Sequence, residues 1–301
     1  HRRSASLHRC RRRLTRTPPT ATARLVNLSY VSLEKRNNVR TLGRGPATMF
    51  FAHGFGCDQN MWRLLAPRYA ERYRVVVFDH VGSGGSDLAA YDRTKYDSLH
   101  GYADDMLELA SAFAEGPSIF VGHSVSAMIG LLASVKDPAT YVAHVMIGPS
   151  PCYINDGDYV GGFTRGDIES LLGTLESNYL GWSSNMAPVI MGAPDQPELG
   201  VELTNSFCRT DPDIALQFAR VTFLSDVRAQ VPRLTTPTLL LQCDEDLIAP
   251  RSREALAWII RPISYSIAVR PVGSLALGHR RPARTRRHAV GLVRRDAAHG
   301  Q

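Results

Sequence analysis

Long apolar runs are missing from this chain. The longest candidate, Ala127 to Val135, falls far short of the ~20 residues that a membrane-spanning helix needs. Cysteine is scarce: the five residues Cys10, Cys57, Cys152, Cys208 and Cys243 are scattered and form no C-x-x-C pair. An odd, scattered set fits reduced thiols in a cytosol better than a zinc or disulfide framework. Metal spacings such as H-E-x-x-H do not occur. Gly82-Ser-Gly-Gly-Ser86 lacks the G-x-G-x-x-G spacing of a dinucleotide loop and reads as a turn. No metal and no cofactor is expected.

Acid is nearly absent from the two ends. Residues 1–36 hold ten Lys/Arg against Glu34 alone, and residues 261–301 hold nine Arg against Asp296 alone. With +9 and +8 on these tails and +7 overall, the stretch between them carries −10. A nucleic-acid footprint belongs on the folded body, along a helix or a groove. Here the body is acidic, so neither nucleic acid nor membrane is an expected partner. Residues 1–36 have the Arg-, Ser- and Thr-rich composition of an organelle transit peptide or of untranslated or out-of-frame sequence; the second is the preferred reading, with a cytoplasmic protein, and neither adds to the fold.

The remainder is that of an ordinary globular protein, with 44% hydrophobic and 21% charged residues over 301 positions. From Thr48 onward, near-continuously apolar runs predict strands at Thr48–Ala52, Arg74–Phe78, Ser118–Val121, Val142–Ile147 and Thr238–Gln242, with a further one at Ser264–Val269. Strands buried on both faces of a parallel sheet read this way. Helical patterns lie between them, at Asn60–Tyr69, Leu99–Phe113 and Ser124–Val135, and the alternation predicts an α/β fold. It stops at Pro149-Ser150-Pro151. The next 85 residues, 151–235, read mainly as helices at Arg165–Tyr179, Trp182–Met191, Pro197–Phe207 and Asp211–Phe223. A helical insertion between two strands of one sheet is most simply a cap over the carboxyl edge, where open α/β sheets bind ligands.

Strand residues Ile119-Phe120-Val121 run into Gly122-His123-Ser124-Val125-Ser126, and Ala127-Met128-Ile129-Gly130 continue as a helix. That context fits the G-x-S-x-G nucleophile elbow, except that its last glycine is Ser126. The turn is sharp, so the residues two before and two after the serine must be small, and serine still qualifies. The competing reading is a polar helix cap on an ordinary turn. We take Ser124 as the candidate nucleophile. Its oxyanion donors would be the Val125 N–H and, from His53-Gly54-Phe55-Gly56 after an earlier strand, the Phe55 N–H. The orienting acid should follow a late strand. Spacing alone admits Asp244, Glu245 or Asp246.

Several segments taken together resemble one known subfamily: His53–Trp62, Phe78–Asp87, Gly122–Gly130, Gly148–Tyr153 and Leu241–Pro250. Over Asn37 to Pro250 the chain is similar to the α/β-hydrolase subfamily of the sigma-factor regulator RsbQ and the strigolactone/karrikin receptors, whose elbow is itself Gly-His-Ser-Val-Ser. The resemblance implies an α/β-hydrolase core at 37–150 and 236–301, a mostly parallel sheet flanked by helices, and a four-helix lid at 151–235 inserted before the penultimate strand. It implies Asp246 as the catalytic acid, directly before a Leu-Ile-Ala-Pro segment. It also implies a roofed apolar pocket, for which Tyr153, Phe163, Trp182, Phe218 and Phe223 are candidate lining residues. Such a protein would be a serine hydrolase acting on a small hydrophobic ester or lactone, or else a signalling protein with slow hydrolysis and a partner phosphatase or other signalling partner.

The family's histidine lies in Gly-His-x-Pro-His. Gly278-His279-Arg280-Arg281-Pro282 keeps the first histidine and lacks the second, and Arg280–Arg295 carries seven arginines in sixteen residues, with no apolar helical face. A shifted reading frame beyond about Pro250, or divergence, accounts for the departure. His279 is the candidate base, with His288 and His299 as poorer alternatives.

Overall fold

A computed structural model describes residues 32–243 and 246–249, and the backbone of 263–269. Seven strands form one sheet: β1 (Arg40–Leu42), β2 (Thr48–Ala52), β3 (Arg74–Val77), β4 (Ser118–His123), β5 (Ala143–Ile147), β6 (Thr238–Cys243) and β7 (Ile263–Val269). Their order is β1-β3-β2-β4-β5-β6-β7. Only the β1–β3 pairing is antiparallel; every other neighbouring pair is parallel. β2 is buried at all five positions, as a central parallel strand covered on both faces must be.

Helix α1 (Ala66–Tyr69) is a single turn that follows a 3-10 turn at Gln59–Trp62. The continuous helix expected over Asn60–Tyr69 is therefore broken. Its second half starts afresh, with Pro67 in the first turn, where a missing N–H does no harm. Helices α2 (Leu99–Phe113) and α3 (Val125–Lys136) pack together against the sheet. Their apolar faces join Phe50, Val76, Phe78 and Phe120 in the largest buried cluster. Gly130 is what lets α3 approach so closely, because a Cβ there would stand 2.4 Å from the Phe120 ring.

Between β5 and β6 the chain builds a separate helical layer: α4 (Arg165–Ser177), α5 (Tyr179–Met191), α6 (Pro197–Phe207) and α7 (Pro212–Phe223). Local chemistry sets its breaks. Thr164 and Asp167 form a reciprocal capping box at the start of α4. Asn178 ends α4 and caps α5 through its side chain, splitting the helix expected over Arg165–Tyr179. Asp211 accepts from the N–H groups of Asp213 and Ile214 at the start of α7. The layer buries its own cluster, in which Ile168, Leu172, Trp182, Leu203, Phe207 and Phe223 meet, with Tyr153 and Cys57 below them.

Candidate active site

β4 ends in the tight turn that the elbow requires. Ser124 has φ 55° and ψ −125°, one of only two non-glycine residues with positive φ among those described, and such a conformation costs of the order of 1–3 kcal/mol. Two features hold it there. The Ser124 N–H donates to the Ile147 carbonyl at the end of β5, at 2.8 Å. The chain also folds so tightly that a Cβ at Gly122 would meet the Ala127 nitrogen and the Ser126 carbonyl at 2.7 Å. Glycine is required at 122 by backbone contact.

The loop after β2 presses on the same turn. A Cβ at Gly54 would lie 2.6 Å from His123 Nδ1 and 3.2 Å from the Ser124 Cβ. Among the described residues, neither the Phe55 N–H nor the Val125 N–H has a hydrogen-bond acceptor. The loop after β3 braces this arrangement through Asp79. Its carboxylate accepts from Gln59 N–H at 2.7 Å, Asn38 Nδ2 at 2.7 Å and Gly85 N–H at 2.8 Å.

Ser124 lies at the floor of an apolar cavity between the sheet's carboxyl edge and the helical layer. Phe55, Cys57, His123, Gly148, Tyr153 and Asp246 line it from the sheet side. Leu171, Trp182, Met186, Ile190, Leu203, Phe207, Thr222 and Phe223 line it from the helices. Asp246 follows β6. Its Oδ1 accepts the N–H groups of Ile248 and Ala249 at 3.0 and 2.9 Å, and the Gln242 side chain fixes the loop by donating to the Ala249 carbonyl at 2.8 Å. Burial raises the Asp246 carboxyl above its ordinary value, and those two N–H bonds act against the rise. Burial pushes His123 down to about 4, so it stays neutral beside Ser124 at neutral pH. Burial pushes the Tyr153 phenol up to about 12, with the Ser124 hydroxyl lowering and Asp246 raising it.

The model of the alpha/beta hydrolase family matches residues 49–288. The chain belongs to the alpha/beta hydrolase family. This hydrolase is 38% identical over 218 residues to the karrikin insensitive 2 receptor CA of Petunia hybrida, spanning 72% of this chain and 81% of that protein. It is 39% identical over 215 residues to a strigolactone esterase of Arabidopsis thaliana, at 71% of this chain and 80% of that one. A hydrolase of solved structure from Oleispira antarctica aligns with a TM-score of 0.76 at 41% identity, covering 81% of this chain and 89% of the other.

The hydrolase places Ser124, Asp246, Phe55, Tyr153, Trp182 and Phe223 around one cavity, and Val125 opens the helix beside Ser124. Phe218 is elsewhere: α7 turns it toward the sheet core, where its ring lies 4.7 Å from that of Tyr102 and 6.0 Å from His80. Phe163 packs, half-buried, at the edge of the helical cluster and not on the cavity wall. Both sit in apolar surroundings, and sequence spacing does not say which apolar surface a helical aromatic will face. His279, with His288 and His299, lies outside the described residues, as do Asp244 and Glu245. Cys57, Thr222 and Met186 on the wall carry no motif that would have singled them out.

Proposed function

We propose that this hydrolase cleaves a small hydrophobic ester or lactone by nucleophilic catalysis at Ser124. The observation that carries the reading is the strained serine on the floor of a roofed apolar cavity, with two unengaged N–H groups beside it. Ser124 Oγ would attack the acyl carbon and pass its proton to His279, the base that the family resemblance supplies. Asp246 would orient that imidazole through Oδ2, the oxygen not engaged by Ile248 and Ala249. Phe55 and Val125 N–H groups would hold the tetrahedral oxyanion until the alkoxide leaves with the imidazolium proton. Water then attacks the acyl-serine by the same proton route in reverse. The apolar wall favours a hydrophobic acyl or lactone ring.

Turnover of para-nitrophenyl acetate tests this. Ser124→Ala should lose about 10⁴-fold or more in kcat, as nucleophile deletions do, and equal rates in the two proteins would reject the nucleophile.

A second reading is supported by the relatives described as receptors: a signalling protein in which slow hydrolysis or binding is reported to a partner phosphatase or other signalling protein. A pull-down that captures no partner, with or without ligand, would favour the plain enzyme. For either reading we place the protein in the cytoplasm. Five scattered cysteines without a C-x-x-C pair suit a reducing compartment.

A further inference from the structure

Ser126 takes the elbow position that the G-x-S-x-G pattern gives to glycine, and small size alone does not account for what it does. It is wholly buried in the first turn of α3. Its hydroxyl donates to the carbonyl oxygen of His53, across to the loop after β2, and the same hydroxyl lies 2.7 Å from His80 Nε2. A hydroxyl has one proton, and a carbonyl can only accept. The proton of the second bond must therefore come from His80, which is the Nε2–H tautomer. Consistent with this, His80 Nδ1 is left without a partner among the described residues.

The chain of donors continues. The His80 backbone N–H donates to His53 Nε2 at 3.0 Å, so His53 must carry its proton on Nδ1, which lies 2.9 Å from the Gly54 carbonyl. That carbonyl also accepts the Cys57 N–H at 3.2 Å, a turn bond internal to the loop. It belongs to the same peptide unit as the Phe55 N–H. A trans peptide is planar, with its C=O and N–H pointing in opposite directions. Anchoring the carbonyl to the His53 ring thus aims the Phe55 N–H the other way, and a bond to the carbonyl also strengthens that N–H as a donor. Both rings are fully buried, and burial lowers the basicity of each, so the neutral tautomers persist at neutral pH.

We infer that Ser126 and His80 are positioning residues, which through His53 hold the Gly54–Phe55 peptide where its N–H meets the oxyanion formed on the Ser124 adduct. The inference rests on the reading of Phe55 as an oxyanion donor. On this account the serine of Gly-His-Ser-Val-Ser ties the nucleophile's helix to the oxyanion loop, a link that glycine at 126 would lack.

The test uses the full chain as wild type, Ser126→Gly, Ser126→Ala, His80→Phe and His80→Gln, with Ser124→Ala as control. Outright loss of an oxyanion donor costs ~10²–10³ in rate. A donor that is present but loosened should cost about 10- to 100-fold in kcat with KM changed less than about twofold, since the tie acts on the transition state. Exchange of the Phe55 amide proton, followed by NMR, should accelerate in Ser126→Gly, Ser126→Ala and His80→Phe. In His80→Gln the amide can donate to Ser126, so kcat and exchange should both return toward wild type. Wild-type kcat and unchanged Phe55 exchange in both Ser126 variants would overturn the inference. So would a lower melting temperature with kcat intact, because Ser126 would then be structural only. If Ser124→Ala matches wild type, the hydrolytic reading falls, and Phe55 exchange alone decides the tie: acceleration supports it and no change overturns it.

Discussion

The sheet and the helical layer above it differ in how their glycines are used. In the sheet region, Gly54, Gly122 and Gly130 each stand where an added Cβ would strike a neighbour at 2.4–2.7 Å. In the helical layer, Gly173 and Gly192 have nothing within 4 Å of such an atom, Gly200 would meet Pro188 at 3.3 Å, and Gly181 would meet the Asn178 side chain at 2.3 Å. The polar groups differ as well. Around the elbow, Asp79, His53, His80 and Ser126 are buried and bonded to one another's loops. In the layer, ion pairs such as Arg220–Glu176 lie at the surface, where such pairs contribute little. The lower half is fixed by backbone contact and buried hydrogen bonds. The upper half is held by apolar side chains packed on one another, which tolerate replacement. On the mechanism proposed above, chemistry would sit on the first and selectivity on the second.

Acid should expose the difference most strongly. His53, His80 and His144 are wholly buried in the sheet region, and residues 151–235 contain no histidine. Burial lowers all three in the folded state. The unfolded chain therefore binds protons that the folded one refuses, and the stability these groups contribute is present above about pH 6.5 and lost as pH falls below it. For His144, pushed down to about 3, the loss should be about 2 kcal/mol between pH 7 and pH 5, and His53 and His80 add to it in the same direction. Denaturant unfolding at pH 7, 6 and 5 would show this, and a flat dependence would break the contrast.

Two matched glycines sharpen it. Gly130→Ala, in the middle of α3, drives a methyl into the Phe120 ring and should destabilise by about 2–3 kcal/mol. Gly173→Ala, in the middle of α4, meets open space and should stabilise by about 0.5–1 kcal/mol through helix propensity alone. Both are read from urea midpoints. Equal effects at the two sites would remove the distinction between the halves.

Most of the sheet could be read from apolar runs. The strand expected over Thr48–Ala52 and the helices over Leu99–Phe113 and Pro197–Phe207 match the structure end to end, because burial on both faces or a clear amphipathic period leaves little choice. β1 went unread. Arg40–Leu42 is a three-residue edge strand, exposed throughout, and it has no apolar pattern to betray it. The sharp turn at Ser124 was legible because strand, turn and helix lie next to each other in sequence. The ties from Ser126 and His80 were not. They join residues 27 to 73 positions apart, and buried histidines look like any others in a sequence. The burial of Phe218 against Tyr102 depends on which face α7 presents, which only the packed structure determines.

Phe55 belongs to both halves. Its backbone N–H is the proposed oxyanion donor, while its ring lies 5.8–6.1 Å from those of the cavity-lining Trp182, Phe207 and Phe223, all contributed by the helices. A lineage that reshapes those aromatics to admit a different molecule cannot leave this ring where it was, and the ring carries its own peptide with it. Changes in which molecule is accepted and changes in how fast it is processed should therefore be inherited together, linked through one phenylalanine.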